Sequence, residues 1–132
     1  MKPVFADTFF FLAALNPRDA AHNAAIQWSR EHNRVRVTTA WVLTEVADAM
    51  ARDNREAFLH LLDLVRNSAL FRFTEATPAT FDRGVALYRQ RPDKAWSLTD
   101  CISFVVMQDE GLTEALTGDR HFEQAGFTSL LA

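Results

Sequence analysis

The sequence predicts an α/β fold: a three-layer α/β/α sandwich on a central, mainly parallel sheet of four or five strands. Short runs of β-branched and aromatic residues alternate with stretches of helical period. Strand followed by helix, repeated, implies parallel strands covered by helices on both faces. The stretch from Leu98 to Glu110 is apolar almost throughout, so its helix must lie in the middle of a domain. With 132 residues and 48% hydrophobic residues, the chain suits one compact domain spanning residues 1–132. Four Gly and four Pro leave no flexible linker or low-complexity tract.

The elements follow in order. Lys2 to Ala6 reads as a short buried strand. Thr8 begins a helix that Asn16-Pro17 stops at Leu15. Asp19 starts a second helix, Ala20 to about Glu31, with Ala21, Ala25 and Trp28 near helical spacing. Val35 and Val37 mark the next strand. Thr38 or Thr39 caps a helix from Ala40 to about Arg52. Asp53-Asn54 breaks the chain before a helix from Arg55 to Asn67, whose Phe58, Leu61, Leu62 and Val65 share a face. Leu70 to Phe73 is a third strand. Thr77-Pro78 opens a helix that ends near Gln90. After the loop Arg91-Pro92-Asp93-Lys94, Ser97 or Thr99 caps the central helix, and Gly111 closes it. Glu114 to Thr117 is the fourth strand, and Phe127 to Leu131 the candidate fifth.

Composition excludes several classes. A single cysteine, Cys101, rules out an intrachain disulfide and a Cys-rich zinc site. It reads as a small core residue and suits a reducing compartment. No apolar run is long enough to span a membrane. Lys2 followed by Pro3 makes no secretory signal, so a cytoplasmic location is expected. A net charge of −3 is not that of a bulk nucleic-acid binder. Contact with a polyanion would need a local basic patch or bound cations.

Four acids carry the chemistry. Asp7 follows the first strand, and Asp119 follows the fourth. Asp100 stands in the first turn of the central helix, where its bland role is to complement the helix dipole or assist the cap. Glu45 interrupts the apolar run of the third helix, where its bland role is a solvated position. In parallel sheets the functional site lies beyond the carboxyl ends of the strands, so these distant residues can converge. Gathered carboxylates raise one another's pKa unless cations neutralise them. An all-oxygen set suits Mg²⁺ or Mn²⁺, and paired ions of this kind activate water and stabilise a leaving oxygen.

The order and spacing of four motifs resemble those of PIN-domain ribonucleases, most nearly the VapC-type toxins of bacterial toxin–antitoxin pairs. The motifs are Val4-Phe5-Ala6-Asp7-Thr8, Thr44-Glu45-Val46-Ala47, Ser97-Leu98-Thr99-Asp100 and Leu116-Thr117-Gly118-Asp119-Arg120-His121-Phe122, with Gly126-Phe127 after them. The resemblance covers nearly the whole chain. It implies a metal-dependent RNA endonuclease with Asp7, Glu45, Asp100 and Asp119 as its acidic site. It also implies a hydroxyl partner, for which Thr8 and Thr117 are the candidates, and a homodimer that binds an antitoxin protein. Cys101 stands where a small residue such as Ala is usual. Gly118 stands where a bulkier residue is common, which is expected to loosen the loop bearing Asp119. Alternatives left open are a catalytically silent PIN module, a stand-alone nuclease without antitoxin, and a phosphatase-like or DNA-cleaving hydrolase.

The remaining polar residues have plainer readings. His121 is expected to order its loop, with substrate contact as the alternative. His22, His32 and His60 read as surface residues, and Asp48, Asp63 and Asp82 as helix-face charges. Arg34, Arg36, Arg52 and Arg55 read as solvated charge. Arg91, Lys94 and Arg120 flank the motifs and are candidates for holding phosphates. In Phe9-Phe10-Phe11, successive side chains point about 100° apart. Phe10 is expected to meet another chain, with Phe9 or Phe11 in the core.

Overall fold

Val4, Phe5 and Ala6 have no exposed surface, which makes β1 (Val4–Ala6) a strand covered on both faces. A computed structural model describes residues 1–132. The other strands are β2 (Arg36–Thr39), β3 (Phe71–Thr74), β4 (Glu114–Leu116) and β5 (Thr128–Ser129). They form one sheet in the order β3-β2-β1-β4-β5, with every neighbouring pair parallel. The helices α1 (Thr8–Leu15) and α2 (His22–Glu31) join β1 to β2. Next, α3 (Ala40–Met50) and α4 (Arg55–Asn67) join β2 to β3. Then α5 (Pro78–Gln90) and α6 (Leu98–Asp109) lead back to β4, and α7 (Arg120–Gln124) leads on to β5.

That strand order sets the layers. The chain moves outward from β1 to β3, then returns to the opposite side of β1. Right-handed crossovers place α1 to α4 on one face and α5 to α7 on the other. Within each group α1 lies on α2 and α3, α3 on α4, α5 on α6, and α6 on α7, while α3 and α6 meet across the groups. The helix α6 is buried continuously from Asp100 to Met107, as a middle element must be. Gly84 of α5 lets it approach, because a Cβ there would overlap Ile102. The gap between the carboxyl ends of β1 and β4 is the topological switch point of the sheet, where open α/β sheets place their ligands. Asp7 and the Thr117-Gly118-Asp119 turn leave the sheet there.

Several expectations need correction. Phe10 is only 4% exposed and packs edge-on against Phe11 at 5.4 Å, so it is core and cannot anchor another chain. The short helix packs against α2 and α3, its Phe11 ring stacks on Phe71 of β3 at 6.2 Å, and Phe9 is the half-buried member of the triplet. Arg36 is buried rather than solvated. Its guanidinium lies over the Trp28 ring at 4.9 Å and donates to the carbonyls of Arg34 and His32 at 2.9 and 3.3 Å, near the end of α2. His22 and His32 are half-buried, each with Nδ1 bonded to a backbone carbonyl. The second helix begins at His22, after an Asp19 turn in which Oδ1 accepts from Ala21 N at 2.8 Å. Of the two threonines before α3, Thr39 is the cap, while Thr38 ties β2 to β1 through the Ala6 carbonyl.

Candidate functional site

Each acid is delivered by a different local device. Asp7 occupies the N-cap position of α1, yet its side chain makes no capping bond. Instead Asp7 Oδ2 accepts from Thr117 Oγ1 at 3.0 Å. Asp100 is the third residue of α6 and closes a capping box with Ser97: Asp100 N donates to Ser97 Oγ at 3.0 Å, and Ser97 N donates to Asp100 Oδ2 at 3.1 Å. Asp119 caps α7, a helix that sequence reading missed, and its Oδ1 accepts from His121 N at 2.9 Å. Glu45 rides on the second turn of α3, half-buried.

These four acids line one cavity of about 340 Å³, together with Thr8, Phe9, Ser97 and His121. The helices α1, α3 and α6 all start at this edge, so their positive dipole ends offset part of the acidic charge. His121 Nδ1 lies 3.0 Å from Asp100 Oδ2 and 3.4 Å from Asp119 Oδ1. It therefore links the α7 segment to the start of α6. Thr117 stands behind the cavity, fully buried. Its Oγ1 donates to Asp7 and accepts from Asp119 N at 3.0 Å, joining the two acids that follow β1 and β4. Arg120 is exposed and lies outside the cavity lining. Arg91 is paired with Asp93 through two hydrogen bonds.

Sequence reading missed the role of Phe9. A Cβ on Gly118 would stand 2.5 Å from the tip of the Phe9 ring. Gly118 thus admits an aromatic wall to the site. The available signal was the pairing of an odd glycine with one aromatic too many, but nothing local in the sequence connects residues 9 and 118.

The electrostatics fit a cation. Burial, then the neighbouring Asp100 charge, push the Asp7 carboxyl up to about 7 despite the Thr117 hydrogen bond, and Glu45 adds to the effect. Burial, followed by the Asp119 charge, also raises Asp100, opposed by the Ser97 amide and His121. Thr8 Oγ1 is buried at the cavity without a hydrogen-bond partner. Ligand-capable atoms of Asp100, Asp119 and His121 lie within 4.8 Å of one another, with Asp7 and Glu45 on the same cavity. Oxygen donors dominate this set, as hard divalent cations prefer.

Residues 4–128 match the profile of the PIN domain. The chain is similar to the 23S rRNA-specific endonuclease VapC20 of Mycobacterium tuberculosis, with 26% identity over 127 residues, 96% of this chain and 97% of that protein. The crystal structure of Mycobacterium tuberculosis VapC20, described as a sarcin-ricin loop cleaving toxin, superposes with a TM-score of 0.85. That match has 26% identity and covers 95% of this chain and 96% of the other. The structure of FitAcB from Neisseria gonorrhoeae has a TM-score of 0.63 at 15% identity, over 96% and 94% of the two chains, a likeness of fold alone.

Proposed function

The chain belongs to the PIN domain family, and from that premise we propose that it is a metal-dependent RNA endonuclease, the toxin of a toxin–antitoxin pair. The observation that carries this reading is the convergence of Asp7, Glu45, Asp100 and Asp119 on one cavity at the switch point of the sheet. These four carboxylates are the residues we assign to hold Mg²⁺ or Mn²⁺, with the Thr8 hydroxyl beside them. A bound cation of this kind polarises water and offsets charge on a phosphodiester.

The chain's own residues prepare the site. Thr117 fixes the Asp7 carboxylate by donating to Oδ2, leaving Oδ1 free of that bond. The Ser97 capping box holds Asp100 in one rotamer at the mouth of α6. His121 bridges Asp100 and Asp119, so α7 and α6 cannot drift apart without breaking that contact. Phe9 and Leu12 form the apolar side of the cavity. Orientation before binding is the protein's contribution, since misplacement by about 1 Å costs rate steeply.

The toxin reading entails a protein partner. Leu59 and Leu64 of α4, with Leu70 beside them in sequence, are exposed at 54%, 52% and 39%. They supply apolar surface for an antitoxin or a second copy of the chain. No helix is long and apolar enough to cross a membrane.

The test is cleavage of 23S rRNA, or a fragment carrying its sarcin-ricin loop, by purified protein with Mg²⁺ or Mn²⁺. We expect cutting by the native chain and a loss of several orders of magnitude in Asp100→Asn, which keeps an oxygen for the Ser97 amide but loses the charge. Equal cleavage by both proteins would refute the site assignment. A native chain that cuts no RNA with either metal would refute the nuclease reading.

A further inference from the structure

A second groove, of about 780 Å³, runs between the end of α5 and the link to α6, and Ala95 lines both it and the acidic cavity. The two hollows are therefore neighbours on one surface. In a chain of net charge −3, this groove gathers Arg89, Arg91 and Lys94 against one local acid, Asp93. Asp93 is taken by Arg91, whose guanidinium donates to both carboxylate oxygens at 3.0 and 2.9 Å and lies 5.1 Å over the Trp96 ring. Trp96 is buried and serves as the floor. Arg89 and Lys94 have no ion-pair partner. Tyr88, 51% exposed, presents an aromatic ring in the same groove.

Free cations beside an exposed aromatic are the ingredients of single-strand binding, in which the cations track phosphates and the ring stacks a base. An acidic peptide would use the cations but has no need of a ring face. We propose that this groove seats the single-stranded RNA next to the scissile phosphate, with Lys94 and Arg89 on backbone phosphates and Tyr88 stacked on a base. Arg91 and Asp93 hold the groove's shape and carry no net charge between them. This assignment rests on the nuclease reading above and names the strand path that such a nuclease would use.

Fluorescence anisotropy of labelled single-stranded RNA oligonucleotides on the full chain tests it, with Ca²⁺ replacing Mg²⁺ to neutralise the carboxylates, and oligonucleotide integrity checked afterwards. Tyr88→Ala should weaken binding roughly 5- to 150-fold, the loss of one base stack, and Tyr88→Phe should restore it. Arg89→Ala with Lys94→Ala should reduce the salt slope of log affinity by about 1.4, about 0.7 per lost phosphate contact. In Mg²⁺, these losses should fall on KM more than on kcat, with melting temperature and Mn²⁺ affinity unchanged. Native RNA affinity and salt slope in folded variants of a chain that still cleaves RNA would overturn the groove and leave the nuclease reading standing. Polyglutamate displacing the RNA as well as unlabelled RNA does, charge for charge, would overturn the RNA assignment in favour of an acidic peptide. A native chain that neither binds nor cuts RNA would overturn both.

Discussion

Thr117 and Asp7 are 110 residues apart in sequence and joined by one buried hydrogen bond of 3.0 Å. The same hydroxyl receives the Asp119 amide, so one oxygen aligns the carboxyl ends of the two strands that frame the site. Thr117→Val keeps the shape and deletes the hydroxyl. It leaves Asp7 without its donor and the Asp119 amide unsatisfied, a cost of about 1–3 kcal/mol. We expect a lower melting temperature and a rate of RNA cleavage reduced at least tenfold. Thr117→Ser, which retains the hydroxyl, should recover most of the rate.

Raised carboxyl pKa values at Asp7 and Asp100 predict that the acids destabilise the protein when no cation is bound, with a definite sign in pH. The Asp7 carboxyl is raised from 3.8 to about 7, so between these values the folded chain holds a proton that the unfolded chain has released. Stability contributed by this group is complete below about pH 4 and is lost as pH rises toward 7. The raised Asp100 carboxyl acts in the same direction. Thermal melts in chelator should therefore fall from pH 5 to pH 7.5, at about 1.4 kcal/mol per unit of pKa elevation at most. A flat profile would contradict the burial of these charges.

Asp7→Asn should separate stability from function. Removing the charge relieves repulsion from Asp100 and Glu45, so the variant in chelator should melt higher than native protein at pH 7.5. Added Mn²⁺ should raise the native melting temperature at that pH and leave the variant nearly unmoved. Cleavage by the variant should be abolished. Equal stabilisation of both proteins by Mn²⁺ would remove Asp7 from the ligand set.

Gly118 and Phe9 should behave as a coupled pair. Gly118→Ala places a Cβ against the tip of the Phe9 ring. The ring is the free end of a side chain, so the fold should survive with a loss of about 1–3 kcal/mol, while the shifted wall lowers cleavage several-fold. Phe9→Ala in the same chain makes room, and a double-mutant cycle should show a coupling of at least about 0.5 kcal/mol. Additive effects would place the ring elsewhere.

Phe10 and Phe11 should both behave as core residues. Replacing either with Ala should cost about 3–5 kcal/mol. Sedimentation of the folded Phe10→Ala protein should match native, because a side chain 4% exposed has little to offer another chain.

Much of this was legible along the chain. Alternating strand and helix patterns determined a parallel sheet covered on both faces. An acid just past β1, another just past β4 and a third in the first turn of a largely apolar helix pointed to one edge of that sheet, because strand ends and helix starts share that edge. The α6 cap and its Gly111 stop followed from short-range chemistry that residues three or four apart settle between themselves. Tertiary structure alone decided the rest. Phe10, chosen by helical direction for the outside, is inside because α2 and α3 both pack on α1 and cover the side it faces, while the half-buried side of α1 carries Phe9, Leu12, Ala14 and Leu15 instead. Arg36 is buried because Trp28 and carbonyls near the end of α2 surround its guanidinium. The closure of Phe9 over Gly118 and the Thr117 bond to Asp7 join residues more than a hundred positions apart. No local pattern encodes such contacts; they exist only once β1 and β4 lie side by side.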